Sequence, residues 1–289
     1  MIEHEKMLYG LIGYPVNHSL SPLMHNTAFN FLEVKAEYQL FSLKEEELEG
    51  FFKALKEEDS PVFGLNVTVP YKEKVLDYID TMTPFAQKVQ AVNTIVINNK
   101  REFIAYNTDG PGFLTHLTEL GFNVLNKNIA IIGAGGASRA ILTVLSLIKD
   151  RPKTIRLFDI DKGKVDYLIS DLGSRFDVSI IQSVNSIDDL AIADSDLLIN
   201  ATPIGMKAGD PVLFEKELLH PDLFVYDLIY HPARTALLQM AEEVGAPTAN
   251  GLGMLFYQGV LAFQHWADIQ LDQEVKQLMW QALESGLKN

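Results

Sequence analysis

Cysteine is absent from the chain, so disulfides, cysteine nucleophiles and thiolate metal sites are all excluded. Positive charge is scarce as well. The 24 lysines and arginines are set against 38 aspartates and glutamates, and the formal net charge of −14 argues against nucleic acid or an anionic membrane as a partner. No apolar run approaches the roughly 18 residues of a membrane span. The start, Met1-Ile2-Glu3-His4-Glu5-Lys6, has no apolar signal core, so a cytoplasmic protein is expected. The seven histidines form no spaced ligand set with nearby carboxylates, and no metal is expected. What remains is 289 residues of ordinary globular composition, enough for about two domains with a core each.

The rest of the chain can be placed from Ile129 to Ala140, which reads I-A-I-I-G-A-G-G-A-S-R-A. Apolar residues run into Gly133-Ala134-Gly135-Gly136-Ala137, and Ala140, Ile141, Val144, Leu145 and Ile148 then recur at helical spacing, so strand, tight turn and helix follow one another. Gly133 serves the turn, Gly135 lets a pyrophosphate approach the backbone, and the new helix offers its unpaired N–H groups to the anion. Ser138 occupies the third small position, where close helix packing is needed. A second apolar strand, Thr154 to Phe158, ends at Asp159, about 20 residues beyond the glycines, where such folds bind ribose hydroxyls.

Before this cradle, Leu8 to Pro15 predicts a buried strand, and Ser21-Pro22 opens a helix. Ser21 read alone is an N-cap, but Ser19, Ser21 and the helix end also suit a carboxylate. His18 is assigned no catalytic role. A strand from Glu37 to Phe41 leads to an expected capping box at Ser42 and Glu45. Asn66 and Thr68 alternate with Leu65, Val67 and Val69 and share one strand face. A helix is expected to start near Pro70, which puts Lys72 in its first turn, where a cation opposes the macrodipole. The sharper reading is a lysine that exchanges a proton near neutral pH. Gln90 to Ile97 predicts another strand, with a hairpin turn at Asn98-Asn99-Lys100 into Phe103 to Tyr106. Asp109 opens the helix that ends at Gly121, where it reads equally as a cap.

After Asp159 the predicted elements are a helix over 165–172, strands over 178–181, 197–200 and 224–229, and helices over 251–266 and 276–287. This alternation implies a mostly parallel sheet with right-handed crossovers. Asn200 ends one strand, where a turn and a ligand site are equal alternatives. Tyr230 ends the next, just before a helix expected at Pro232.

An ordered set of motifs resembles the shikimate dehydrogenase family, including its quinate/shikimate branch. It comprises His18-Ser19-Leu20-Ser21-Pro22, Asn66-Val67-Thr68-Val69-Pro70-Tyr71-Lys72, Ala91-Val92-Asn93-Thr94, Asn107-Thr108-Asp109-Gly110, Gly133 to Ala137, Asn200-Ala201-Thr202-Pro203, and Asn250-Gly251-Leu252-Gly253-Met254-Leu255 with Gln258. The resemblance implies an α/β fold: an N-terminal α/β substrate-binding domain, residues 1–108 completed by 252–289, plus a Rossmann-type dinucleotide-binding domain, 109–251, with a cleft between them. It implies reversible reduction of 3-dehydroshikimate to shikimate by a nicotinamide cofactor, in the route to aromatic amino acids, by a monomer or homodimer.

Carried over position by position, the resemblance makes Lys72 and Asp109 the catalytic pair and gives the substrate carboxylate to Ser19 and Ser21. Asn66, Thr68, Asn93, Tyr230 and Gln258 then bind ring hydroxyls or complete the pocket. Gly133, Ala134, Gly135, Gly136, Ala137, Asp159, Asp161, Ala201, Thr202, Leu228 and Gly251 are the implied cofactor contacts. The bottom-up chemistry agrees, because oxidising an alcohol removes a hydride and a proton, and the proton needs a positioned base. NADP-using members usually carry a basic cluster after the second strand, whereas this chain reads Phe158-Asp159-Ile160-Asp161-Lys162. An aspartate there binds free ribose hydroxyls and repels an extra phosphate, so NAD is favoured. NADP stays an alternative because Lys162 and Lys164 would offset that repulsion, and quinate stays open as a second substrate. A non-catalytic nicotinamide-binding regulator, which need not retain both Lys72 and Asp109, and a folate-type dehydrogenase are the rival readings.

Overall fold

The computed structural model describes residues 6–287. They fall into two compact units, one reaching Gly112 and resuming at Phe256, the other Phe113–Leu255.

The first unit contains β1 (Met7–Gly13), α1 (Ser21–Phe31), β2 (Ala36–Ser42), α2 (Leu48–Leu55), β3 (Val62–Val67), β4 (Thr81–Met82), α3 (Pro84–Val89), β5 (Thr94–Ile97), β6 (Phe103–Tyr106) and the start of α4 (Asp109–Glu119). Its sheet has the order β2-β1-β3-β5-β6-β4. β1 runs parallel to β2 and β3, while β5 is antiparallel to both β3 and β6, as the expected hairpin requires. Leu48, Phe52 and Leu55 repeat at helical spacing on α2 and are buried with Ile12, Leu65, Ile95 and Phe103. Each such side chain contributes about 1.5–3 kcal/mol when fully buried. The expected capping box moves two residues on: Ser42 remains in β2, and the Glu47 carboxylate accepts the Lys44 N–H at 2.6 Å.

One buried side chain in this unit is unusual. His25 of α1 is fully buried, neither ring nitrogen has a hydrogen-bond partner, and its ring stacks on Tyr38 at 4.4 Å. Burial disfavours the imidazolium and lowers the His25 pKa from 6.5 to about 3. Between those values the unfolded chain binds a proton that the folded chain refuses. The contribution to stability is therefore fully present above pH 6.5 and is lost as the pH falls toward 3. At pH 5 the loss amounts to about 2 kcal/mol. His25→Leu is expected to lose that much less stability than the wild type between pH 7.5 and pH 5, measured by urea unfolding at both pH values. Equal losses in the two proteins would exclude His25 as the source.

The second unit contains β7 (Asn128–Ile132), α5 (Gly136–Leu147), β8 (Thr154–Phe158), α6 (Lys162–Gly173), β9 (Ile181–Ser183), β10 (Leu197–Asn200), β11 (Phe224–Asp227), α7 (Ala236–Glu243) and β12 (Thr248–Asn250). α8 (Leu252–Ala267) begins in this unit and continues in the first, where α9 (Gln273–Leu287) follows it. The sheet is parallel throughout, in the order β12-β11-β10-β7-β8-β9. The chain thus builds outward from β7 to one edge and returns to β10 on its other side, the doubly wound order of a Rossmann sheet. Several boundaries differ from the sequence expectation, among them the start of α6, at Lys162 rather than 165. β9 starts where the 178–181 strand was expected to end. β11 stops at Asp227, which stands opposite Asn200, the last residue of β10; the Asp227 carboxylate takes the Ile229 N–H at 3.1 Å. α7 starts after Thr235 rather than at Pro232, because the Thr235 hydroxyl accepts the Leu238 N–H and caps the helix there. Among the described residues no helix is long and apolar enough to cross a membrane, and no group of three or more metal-binding side chains occurs.

Candidate functional site

In the first unit, Lys72 Nζ donates to Asp109 Oδ2 at 2.6 Å, with the side chains 17% and 7% exposed. The expected helix at Pro70 does not form. The Thr68 carbonyl instead closes a turn on the Tyr71 N–H, and a 3-10 turn begins only at Lys74. The dipole argument for Lys72 therefore does not apply. Its position has another cause: its carbonyl accepts the Val92 N–H at 2.7 Å, which ties it beside Asn93.

Asp109 stands in the first turn of α4, yet it is not the cap, since the Gly110 N–H goes to the Asn107 side chain. Its carboxylate is left for Lys72 on one oxygen and for Asn93 Nδ2, at 2.9 Å, on the other. Asn93 is oriented by the Thr108 N–H, which donates to its Oδ1 at 2.7 Å. The same Asn93 amide nitrogen reaches Thr108 Oγ1 at 2.8 Å and Gln258 Oε1 at 3.3 Å, so Gln258 of α8 is buried rather than turned to water. One network thus joins Lys72, Asp109, Asn93 and Gln258.

Asn66 lies opposite Thr94 in the β3–β5 ladder. Its amide nitrogen donates to the Asn93 carbonyl and to Thr94 Oγ1, both at 3.1 Å, and its oxygen accepts the Tyr38 hydroxyl at 2.8 Å. Thr68 is half-buried just past β3. Ser19 Oγ accepts the Ser21 N–H at 3.2 Å and lies 3.1 Å from Ser21 Oγ. The N-cap position of α1 is Leu20, so the N-cap reading of Ser21 fails; the Ser19 hydroxyl takes the first N–H, and both hydroxyls sit at the helix start. Sequence reasoning missed Tyr38, for which no signal existed. It also passed over Thr94 and Thr108, whose signal was their place inside the Asn93 and Asp109 motifs.

In the second unit, Gly133 has φ +102°, and a Cβ there would stand 2.8 Å from the Ala201 carbonyl oxygen. Only glycine suits that close approach of the loops after β7 and β10. A Cβ on Gly135 would meet nothing within 4 Å, so the backbone at the start of α5 lies open, with no side-chain cap. Ala134, Gly136 and Ala137 complete this turn and first helical residues. Ser138 is buried and its hydroxyl donates to the Gly133 carbonyl, so it braces the turn as well as packing closely. These features suit the pyrophosphate of a dinucleotide.

Asp159 accepts the Ala134 N–H at 2.8 Å and the Asp161 N–H at 2.9 Å, one on each oxygen. Asp161 caps α6 by accepting the Lys164 N–H, and Lys162 donates to Asn185. Asn200 takes the turn role. Its oxygen accepts the N–H and hydroxyl of Thr202, which follows Ala201, while its nitrogen donates to Ile204 O and to Asp227 Oδ1. Asp227 is fully buried, and that burial raises its pKa against the hydrogen bonds from Thr235, Ile229 and Asn200. Leu228 follows it and packs under Gly251. Tyr230 is half-buried beyond β11, and burial raises its pKa.

A Rossmann sheet with its glycine turn at the strand-order reversal defines an α/β protein of the dinucleotide-binding class, and its first unit pairs the part-buried Lys72 with the buried Asp109. Residues 11–95 match the model of the shikimate dehydrogenase substrate binding domain. The chain is 38% identical over 264 residues to the shikimate dehydrogenase (NADP(+)) of Alkaliphilus metalliredigens, covering 90% of this chain and 91% of that one. The structure resembles shikimate 5-dehydrogenase from Listeria monocytogenes in complex with shikimate and NAD (TM-score 0.85, 34% identity, 96% and 98% of the two chains). It also resembles quinate dehydrogenase from Corynebacterium glutamicum in complex with NAD (TM-score 0.87, 28% identity, 98% and 100%). The chain belongs to the shikimate dehydrogenase family, whose members are oxidoreductases acting on alcohol groups.

Proposed function

We propose that this chain interconverts 3-dehydroshikimate and shikimate, with the first unit holding the substrate and the second the cofactor. The observation that carries the reading is the Lys72–Asp109 pair, 2.6 Å apart and braced by Asn93, in a chain of this family. A bound nicotinamide supplies the hydride chemistry at the substrate carbon. Lys72 Nζ gives a proton to the carbonyl oxygen during reduction and takes it from the hydroxyl during oxidation. Asp109 orients Nζ and accepts a hydrogen bond from the substrate. Ser19, Ser21 and the positive end of α1 hold the carboxylate. Thr68, Asn93 and Gln258 bind ring hydroxyls or complete the pocket of the first unit. Asn66 has both amide hydrogens engaged and offers a substrate only the second lone pair of its oxygen.

On the cofactor side, NAD is preferred. Each oxygen of Asp159 keeps one acceptor site for a ribose hydroxyl, and its charge opposes a phosphate there. Lys162 is engaged with Asn185, which weakens the case for its offsetting that charge. The loop residues Ala134, Gly136, Ala137, Ala201, Thr202, Leu228 and Gly251 line the remainder of the cofactor path. The test is nicotinamide reduction followed by absorbance with shikimate or quinate, each paired with NAD or NADP. The fastest rate is expected with shikimate and NAD. Turnover only with NADP would overturn the role given to Asp159, a dominant quinate rate would change the substrate, and no rate from folded protein would leave the regulator reading.

A further inference from the structure

Tyr38 is held at its backbone and at its ring. Asn26 grips its backbone, donating Nδ2 to the Tyr38 carbonyl at 3.0 Å and accepting the Tyr38 N–H on Oδ1 at 2.7 Å. The His25 ring stacks on the phenol ring at 4.4 Å with an interplanar angle of 19°. The ring is thus fixed without help from its hydroxyl, which is free to serve another purpose. That hydroxyl donates to Asn66 Oδ1 at 2.8 Å. Burial raises the Tyr38 pKa above its ordinary value, so the phenol stays a neutral donor across the working range.

The consequence lies in what Asn66 does next. With its oxygen taken by Tyr38, its nitrogen must face the Asn93 carbonyl and Thr94 Oγ1. Asn93 in turn sets Asp109, and Asp109 sets Lys72. We propose that Tyr38 is a positioning residue of the reaction: its hydroxyl fixes the Asn66 amide and, through Asn93, the Lys72–Asp109 pair. The inference rests on the functional reading above, in which the Lys72–Asp109 pair moves the proton.

The test compares wild type, Tyr38→Phe, Asn66→Ala and the double variant in shikimate oxidation, with cofactor KM and thermal melting measured alongside. Tyr38→Phe keeps the ring, the His25 stack and the Asn26 grip. It is expected to lose roughly tenfold in kcat/KM for shikimate, with both a higher KM and a lower kcat. Cofactor KM and melting temperature should stay near the wild-type values. In the Asn66→Ala background the same change should cost nothing further, because the hydroxyl acts through Asn66. Wild-type kinetics in Tyr38→Phe would overturn the inference while the functional reading stands. So would an equal loss in both backgrounds, or a variant that fails to fold, since packing would then account for the residue. A wild type inert toward shikimate defeats the functional reading itself, and this inference with it.

Discussion

Replacing Lys72 by alanine is expected to lower turnover by about 10²–10⁴-fold while cofactor binding stays nearly intact. Lys72 and Asp109 lie in the first unit, whereas the glycine turn belongs to the second, so the substitution leaves the residues of that turn unchanged. The Asp109 carboxylate keeps the Asn93 N–H at 2.9 Å after the lysine is gone, which limits the cost of leaving a buried charge unpaired. Lys72→Arg sharpens the result. Arginine retains the positive charge but does not release a proton in proteins, so it should be nearly as slow as alanine if Nζ moves the proton. Steady-state rates with a fluorescence titration of the cofactor decide the matter. An active Lys72→Arg would reduce Lys72 to an electrostatic role, and an active Lys72→Ala would remove it from the mechanism.

The second large effect is on stability. Gly251→Ala would place a Cβ 1.9 Å from the Leu228 carbonyl oxygen and 2.5 Å from its carbon. Both are backbone atoms, so no side chain can rotate away. Leu228 is tied by its N–H to the Asn200 carbonyl at 2.9 Å, and Gly251 by its own N–H to Ile229 at 3.1 Å, so the displacement passes into the loop after β10. A loss of about 3 kcal/mol or more is expected, near the upper end of overpacking costs. Gly135→Ala is the control. Its φ of −88° suits any residue and its Cβ would meet nothing within 4 Å, so its thermal melt should match the wild type. Equal melting of all three proteins would show that the second unit relaxes around Gly251 at little cost.

The sequence was most informative where local chemistry alone decides the structure. The strands at 154–158 and 197–200 and the β5–β6 hairpin follow from runs of apolar residues and turn residues. The turn at Gly133 follows from the immediate succession of apolar strand, glycines and apolar helix. The sequence was least informative where a backbone group finds a distant partner. Lys72 lies in a turn rather than a helix because Val92, remote in sequence, takes its carbonyl. Asp109 and Ser21 both read as caps, a role judged from neighbouring residues. Asn107 displaces the first from it, and Leu20 occupies the N-cap of α1.

By itself the sequence determined the α/β class, the glycine turn, the absence of thiol chemistry, and the inventory of polar side chains available for acid–base work. Those properties depend on residue type and on spacing along a few turns of chain. The tertiary structure decided which of those side chains meet. Lys72 and Asp109 are 37 positions apart, and Asn93 and Gln258 are 165 apart, yet one hydrogen-bonded network holds all four. It also decided that Tyr38, which no motif marked, closes that network through Asn66. The physical reason is that buried polar groups must find partners across the fold, and local spacing does not show which partner the packed sheet will bring near.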